Sequence, residues 1–436
     1  MSRAIVQERR DFLRAALIAG TAILSPRVKP QPVFAEEPRS SLEKLNLAVI
    51  GVAARGAANL NAVAVENIVV LCDIDTQRLN QAAEKFPAAR KLLDFREIFE
   101  LPHIDAVVIS TPDHTHAIPA ALALKKRWPV YCEKPLTHSV YEARVLRRWN
   151  AQAQVPTQMG NQIHSDLHNY RRVVEIIRSG MIGEVRRIHV WQGGGVRPGK
   201  RVDKGEPPKH VHYDLWLGPA PYRPFHESHF HFNWRYWWDF GGGQLADFGC
   251  HYMDLPFWAL ELTAPQRIEA KGEKGHDGDN ECPNFMQVDY FFPARAGWPP
   301  VHLTWYHGGW KPPGAEEYQK NSAVLFEGTE GKLLADYSTH KVFLADGRAA
   351  EMLPPSIPNS IGHHREWLRA IREGHTTGSH FEYAGRLTET VHLGNVAYRL
   401  GQAIEWDAVQ LKVTNGPDAA EIINRRYREG WVLPEV

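Results

Sequence analysis

An apolar run of strand length that passes straight into a glycine turn, Leu45 to Gly56 ("LNLAVIGVAARG"), leaves this chain few folds. A strand that is apolar on both faces belongs inside a sheet covered on both sides, which means a parallel sheet, and parallel neighbours need helical crossovers. The following sequence supplies them. An amphipathic stretch runs to Val65, "NIVVLCDID" is a second buried strand, and the alternation repeats through "IDAVVIST" and "WPVYCEKPL". This is the pattern of an α/β domain with a doubly wound parallel sheet.

The turn itself reads Gly51, Val52, Ala53, Ala54, Arg55, Gly56. In the G-x-G-x-x-G fingerprint the first glycine makes the tight turn and the second lets a pyrophosphate approach the backbone at a helix N-terminus. Ala53 at the second position is a mild steric departure. Asp73 follows about 20 residues later, where a carboxylate accepts the adenosine ribose hydroxyls and repels a 2′-phosphate. NAD is therefore the expected cofactor, and nearby Arg78 leaves NADP open.

With 436 residues there is room for two domains, and 43% apolar with 23% charged residues is ordinary soluble composition. A net charge of +1 offers no long-range field for nucleic acid or an anionic membrane, so small-molecule chemistry is expected. The apolar run Ala15 to Leu24 is about half the ~20 residues of a bilayer span, so no membrane anchor is expected. Cys72, Cys132, Cys250 and Cys282 have no paired spacing, which argues against a disulfide framework or a zinc knuckle.

The chain opens with a charged segment ending in Arg9 and Arg10, then a weakly hydrophobic run, then "VFA" at Val33 to Ala35. These are the three parts of a secretory signal. The order Arg-Arg-Asp-Phe-Leu-Arg resembles the twin-arginine signal, although Glu8 replaces the usual Ser or Thr; a disordered basic tail is the other reading. The expected organisation is a signal peptide over residues 1–35, a linker over 36–42, a dinucleotide-binding domain over 43–160 and a substrate and oligomerisation domain over 161–436. A periplasmic location follows.

Two further stretches, "STPDHTHAIPAALAL" (Ser110 to Leu124) and "VYCEKPLTHSVYEA" (Val130 to Ala143), together with the glycine turn resemble the Gfo/Idh/MocA oxidoreductases. "TQMGNQIH", "GGGQLADFGCHYMD", "FEGTEGKL" and "YREGW" resemble the exported, sugar-active members of that family. The resemblance implies a Rossmann domain followed by an α/β domain on a large, mostly antiparallel open sheet. It further implies helices at about 362–405 packing back on the first domain, and a homodimer or homotetramer. It assigns a tightly bound cofactor to Gly51, Ala53, Ala54, Arg55, Gly56, Asp73, Ser110, Thr111, Pro112, His114, His116, Glu133, Lys134, Asn161 and Gln162. Independently, "VRRIHVWQG", "QRIEAKGEK", "MQVDYFFPA", "VHLTWYHG" and "KVFLAD" are short runs rich in β-branched and aromatic residues, as a sheet meander requires.

Hydride transfer at an alcohol carbon needs a base for the hydroxyl proton and a cation or donor for the developing oxygen charge. Lys134, in Glu-Lys-Pro at a strand end, is the expected cation. Asp247 and His251 are spaced to share one helix face, so the carboxylate is expected to raise the imidazole pKa, with His251 the base and Asp247 its orienter or the proton acceptor. A capping aspartate and a core histidine are the alternative without chemistry. The aromatic stretch "FHESHFHFNWRYWWDF", Phe225 to Phe240, reads as a sugar-binding wall with Arg235, Trp238 and Asp239. His164 and His251 are assigned to the same substrate site. His226, His229 and His231 match no zinc spacing, so no metal is expected. Two enzyme classes use these residues: a sugar oxidoreductase, and an NAD-dependent glycoside hydrolase that oxidises transiently, eliminates, and returns the hydride. A sensor on an inactive scaffold is the non-enzymatic alternative. A protein folded before export carries its nucleotide with it, so that the nucleotide is regenerated on the enzyme.

Overall fold

The computed structural model describes residues 43–165, 169–194, 205–275, 278, 280–351 and 353–436. The expected signal peptide and linker lie outside the described residues. Lys44–Val436 forms one compact unit.

Its first half is a six-stranded sheet in the order β3-β2-β1-β4-β5-β6. The strands are β1 (Asn46–Ile50), β2 (Asn67–Cys72), β3 (Arg90–Leu92), β4 (Ala106–Ile109), β5 (Val130–Cys132) and β6 (Thr157–Met159). Every pairing is parallel. The apolar runs explain this, because Leu47, Ala48, Val49, Val107 and Val108 are all fully buried between covering helices. Strand order reverses between β1 and β4. In open α/β sheets ligands bind outside the carboxyl ends of the strands at such a switch point. Gly51 leaves β1 there and Ser110 leaves β4.

The second half carries a nine-stranded sheet in the order β13-β12-β11-β7-β10-β9-β8-β14-β15. Its strands are β7 (Val185–Gln192), β8 (Arg267–Glu273), β9 (Phe285–Phe292), β10 (Val301–His307), β11 (Ala323–Gly328), β12 (Gly331–Ala335), β13 (His340–Leu344), β14 (Ile404–Asp407) and β15 (Lys412–Val413). The period-two pattern in β9 is literal: Met286, Val288, Tyr290 and Phe292 are buried and the residues between them are not. The sheet is mostly antiparallel but departs from a simple meander, since β7 is inserted between β11 and β10 and runs parallel to β10. "FEGTEGKL" is the β11–β12 hairpin.

Two helices then return to the first domain. His363–Glu373 inserts Trp367 and Leu368 into the cluster formed by Leu47, Val49, Leu60 and Tyr131. Arg372 in its last turn reaches Glu66 at 2.6 Å. Phe381–Leu400 presents Glu389 to Arg144 (2.9 Å) and Arg147 (2.8 Å), two cations of the Val140–Ala153 helix. Among the described residues no helix is long and apolar enough to cross a membrane.

Candidate functional site

The glycine turn is shaped by contacts that exclude side chains. A Cβ on Gly51, whose φ is +81°, would stand 2.6 Å from the Ser110 carbonyl oxygen, and one on Gly56 would stand 2.1 Å from the Gly51 carbonyl oxygen. Ala54 sits at φ 49°, ψ −113°, a conformation that side-chain-bearing residues avoid and that costs about 1–3 kcal/mol. The helix that follows, Arg55–Val63, has no side-chain cap and no acidic residue in its first turn. By contrast, Thr76–Ala83 is capped by Asp75 and Val140–Ala153 by a Ser139–Glu142 capping box. In the first turn of Arg55–Val63, Gly56 N donates to the Ala53 carbonyl at 2.8 Å and Ala58 N to that of Ala54 at 3.4 Å; with no carboxylate there, the positive end of the helix dipole is open to an anion such as a pyrophosphate. Asp73 braces the turn: Oδ2 accepts from Val52 N and Oδ1 from Asp75 N, both at 3.0 Å. Burial raises its pKa against the pull of those amides.

Beside the turn, buried Glu133 accepts from Asn59 Nδ2 (2.9 Å) and Gln162 Nε2 (2.8 Å). Asn59 also donates to Ser110 Oγ at 2.9 Å and accepts from His364 Nε2 at 3.0 Å. Asn59, which sequence reasoning passed over as a helix residue, is therefore the joint of this network. Asn161 is engaged by the protein, donating to Asp254 Oδ1 at 3.0 Å and accepting from Ser379 Oγ at 2.6 Å. His114 and His116 are completely buried and bond backbone carbonyls, His114 Nε2 that of Trp216 (2.8 Å) and His116 those of Pro135 (2.9 Å) and Thr111 (2.8 Å), while His114 Nδ1 is buried without a partner.

Lys134 meets the Gly243–Tyr252 helix. Its Nζ donates to Asp247 Oδ1 and to the Asp247 carbonyl oxygen, each at 2.6 Å. Arg235 Nε donates to the same Oδ1 at 3.2 Å, while its guanidinium lies over Trp234 at 4.3 Å. These two cations hold the Asp247 carboxyl well below the usual range despite its burial. The expected Asp247–His251 pair is absent among the described hydrogen bonds. The four-residue spacing does place both on one helix face, but the carboxylate turns to the ammonium and guanidinium. The imidazole keeps Nδ1 buried and without a partner. Burial, reinforced by Lys134, outweighs Asp247 and lowers His251 to a pKa of about 3. The expected upward shift is corrected to a downward one.

The substrate residues separate. Arg235 lies at the Lys134 centre. His164 Nδ1 donates to both oxygens of fully buried Asp254 at 3.0 Å, and the ring stacks on Trp258 at 4.3 Å. Asp254 accepts Tyr383 Oη as well, at 2.7 Å. Asp239 is paired with Arg223 at 2.6 Å, and it lines a different cleft together with Trp238. Among the described residues no group of three His, Cys, Asp or Glu side chains is placed to hold a metal ion.

Sequence reasoning also passed over Asp113, between Pro112 and His114. It is buried and close enough to Arg235, Lys134 and Asp247 to feel their charges. Its position just past the carboxyl end of β4, at the switch point, is the signal that marks it. Burial pushes its carboxyl up to about 8, against the pull of Arg235 and Lys134. An unfolded aspartate titrates near ~3.9. Between these values the folded protein keeps a proton that the unfolded chain has released, so stability falls as pH rises through this window and levels off above it. Asp113→Asn, which cannot charge, is expected to exceed the wild type in stability at pH 8 by on the order of 2–4 kcal/mol and to match it near pH 4. Equal unfolding midpoints at both pH values would show that the carboxyl is solvated.

A doubly wound sheet with an uncapped helix after its glycine turn defines an NAD-binding Rossmann protein. Residues 45–161 match the model of the oxidoreductase family's NAD-binding Rossmann fold, and residues 169–433 match that of its C-terminal alpha/beta domain. The chain belongs to the Gfo/Idh/MocA oxidoreductase family. Over 153 residues it is 29% identical to inositol 2-dehydrogenase 2 of Mycolicibacterium vanbaalenii, covering 34% of this chain and 44% of that one. The matches to the curated relatives thus span about half of those proteins' length. Among solved structures, levoglucosan dehydrogenase in complex with NADH and L-sorbose superimposes with a TM-score of 0.58 at 17% identity, over 84% of this chain and 99% of that one. Aldose-aldose oxidoreductase from Caulobacter crescentus, complexed with glycerol, gives 0.58 at 15% identity over 83% and 100%. At these identities the likeness is one of fold.

Proposed function

We propose that this protein is a nicotinamide-dependent oxidoreductase acting on a CH–OH group of a sugar or sugar-like polyol. The observation that carries the reading is the ammonium of Lys134, fixed by Asp247 at 2.6 Å and adjoining an imidazole with an unmet nitrogen. Asp73 favours NAD as the cofactor, and the amides of Arg55–Val63 take its pyrophosphate.

When bound, the dinucleotide supplies the hydride acceptor. The substrate hydroxyl is held between Lys134 and His251. As its proton leaves, the Lys134 ammonium stabilises the negative charge growing on oxygen. His251 accepts that proton, and the neighbouring Asp247 carboxylate offsets part of the cost of a buried imidazolium. Arg235 holds Asp247 from the other side and offers its remaining N–H groups to substrate hydroxyls. The inositol, levoglucosan and aldose activities named for the similar proteins support the sugar or polyol class.

Residues 1–35 act as a twin-arginine signal in this reading, the folded protein working in the periplasm with a nucleotide bound tightly before export. Mass spectrometry of the denatured protein is expected to find NAD released from it. A panel of inositol, aldoses, levoglucosan and a nitrophenyl glycoside, without added nucleotide, is then expected to give reduced nicotinamide with a polyol or aldose. Nitrophenol released with no net reduction would replace the oxidoreductase by a glycoside hydrolase. Absence of both bound nucleotide and turnover, even with NAD or NADP added, would overturn the proposal.

A further inference from the structure

The strand ends of the first sheet lie side by side. Gly51 N donates to the Cys72 carbonyl at 2.8 Å, Ser110 N to that of Ile50 at 2.8 Å, and Glu133 N to that of Ile109 at 2.9 Å. The ends of β4 and β5 are thus where the nicotinamide half falls when Asp73 holds the adenosine and the glycine turn the pyrophosphate. Lys134 follows β5, and Asp113 lies just past β4 in a loop held against the turn, since Thr111 N stands 3.1 Å from the Cβ that Gly51 lacks. The protein makes no use of the Asp113 carboxyl. The residue is 6% exposed, and among the described residues no other side chain bonds or pairs with it. Nor are its oxygens among the sealed atoms that lack a partner, so the group opens onto space in the site.

Charge says what that carboxyl can answer. The charges it feels are Arg235, Lys134 and Asp247, from the Asn233–Tyr236 turn, the end of β5 and the Gly243–Tyr252 helix. Two cations against one carboxylate leave one positive charge in excess while Asp113 is neutral, and none once it ionises. The other titratable groups around it stay neutral: burial lowers His114 and His251 to about 3, lowers His116, and raises the Cys132 and Cys250 thiols. An oxidised nicotinamide ring is cationic, whereas a reduced one is neutral. The oxidised ring therefore adds to an excess of positive charge that Asp113 can cancel by giving up its proton, and the reduced ring adds nothing.

We propose that Asp113 is the counter-ion of the oxidised nicotinamide ring, ionised while NAD⁺ is bound and holding its proton while NADH is bound. The proposal rests on the nicotinamide reading of the site and not on the sugar class. The proton leaves the Asp113 carboxyl for solvent as NAD⁺ enters, and one returns when the ring loses its charge. Calorimetric titration of the full-length protein, freed of nucleotide, with NAD⁺ and with NADH in two buffers of different ionisation enthalpy counts the protons released. At pH 7, below the value of about 8 to which burial lifts Asp113, NAD⁺ is expected to release about half a proton or more beyond NADH. The ratio of NAD⁺ to NADH affinity should rise at least about tenfold from pH 6 to pH 9, the scale of one close charge pair in a protein. Asp113→Asn is expected to abolish the extra proton and flatten that ratio while still binding NADH, which reports that it folds. The wild-type proton count decides by itself if the variant does not fold. Equal proton release by the two nucleotides, or a pH dependence that survives Asp113→Asn, would overturn the proposal. A protein that binds neither nucleotide at any pH would overturn it together with the cofactor reading. Extra proton release with NAD⁺, lost in Asp113→Asn, would uphold it even where no sugar is turned over, a result that counts against the proposed reaction only.

Discussion

Lys134→Met is expected to retain its dinucleotide and lose hydride transfer. Methionine keeps much of the side chain's length and packing without the charge, and the glycine turn, Asp73 and the Arg55–Val63 helix are untouched, so nucleotide binding has no reason to change. Asp247 keeps Arg235 at 3.2 Å and is not left bare. What disappears is the only ammonium placed at the centre among the described residues. Loss of one positioned charge or proton-handling group is worth roughly 10²- to 10⁴-fold in rate. Single-turnover reduction of the bound nucleotide reads the step directly. A variant that reduces it at the wild-type rate would leave Lys134 with a structural role alone.

Asp247→Asn should cost both stability and turnover. Lys134 and Arg235 converge on this carboxylate, and the Lys134 and Asp247 side chains are 13% and 14% exposed. Removing one partner of a buried pair leaves uncompensated charge and costs about 3–5 kcal/mol; here two cations lose their counter-charge together. The sign with pH follows from the depressed carboxyl. Its stabilisation is present above the unfolded aspartate value of ~3.9 and is lost only as pH falls further, through the folded value. The deficit of the variant is therefore expected to be present in full at pH 5 and to shrink below pH 4. Denaturant unfolding at these pH values checks it. A midpoint equal to the wild type at pH 7 would mean that the pair is solvated and contributes nothing. Had Asp247 served mainly to raise His251, the same substitution would have shown itself as a displaced acidic limb in the rate profile.

The contrast shows what could be read from the sequence alone. Local patterns were legible because their cause is local: the apolar run of β1, the alternation of β9, and a turn whose glycines leave no room for a Cβ. The three groups at the centre were also recognisable by residue type and motif. Which of them pair was not, because Lys134 and Asp247 are 113 residues apart and the choice between an imidazole and an ammonium is made by tertiary placement. His114 and His116 were assigned to the cofactor loop by resemblance, and the carbonyls they bond, those of Trp216, Pro135 and Thr111, lie partly in segments that the motif does not contain. Asp113 was silent for the complementary reason. Its chemistry comes from burial, which no residue type announces. Trp238 and Asp239 follow Arg235 closely in the chain, but they line another cleft.

The return of the His363–Glu373 helix has a consequence in time. Trp367 is fully buried in the same cluster as Leu47, Val49 and Tyr131, so one face of the first sheet is unfinished until a segment some three hundred residues downstream arrives. Domains that lie first in a chain ordinarily fold first during synthesis. Here the nascent dinucleotide domain would wait with its apolar face open while the ribosome makes strands β7 to β13 of the second sheet, and its closing residues would emerge only late in translation.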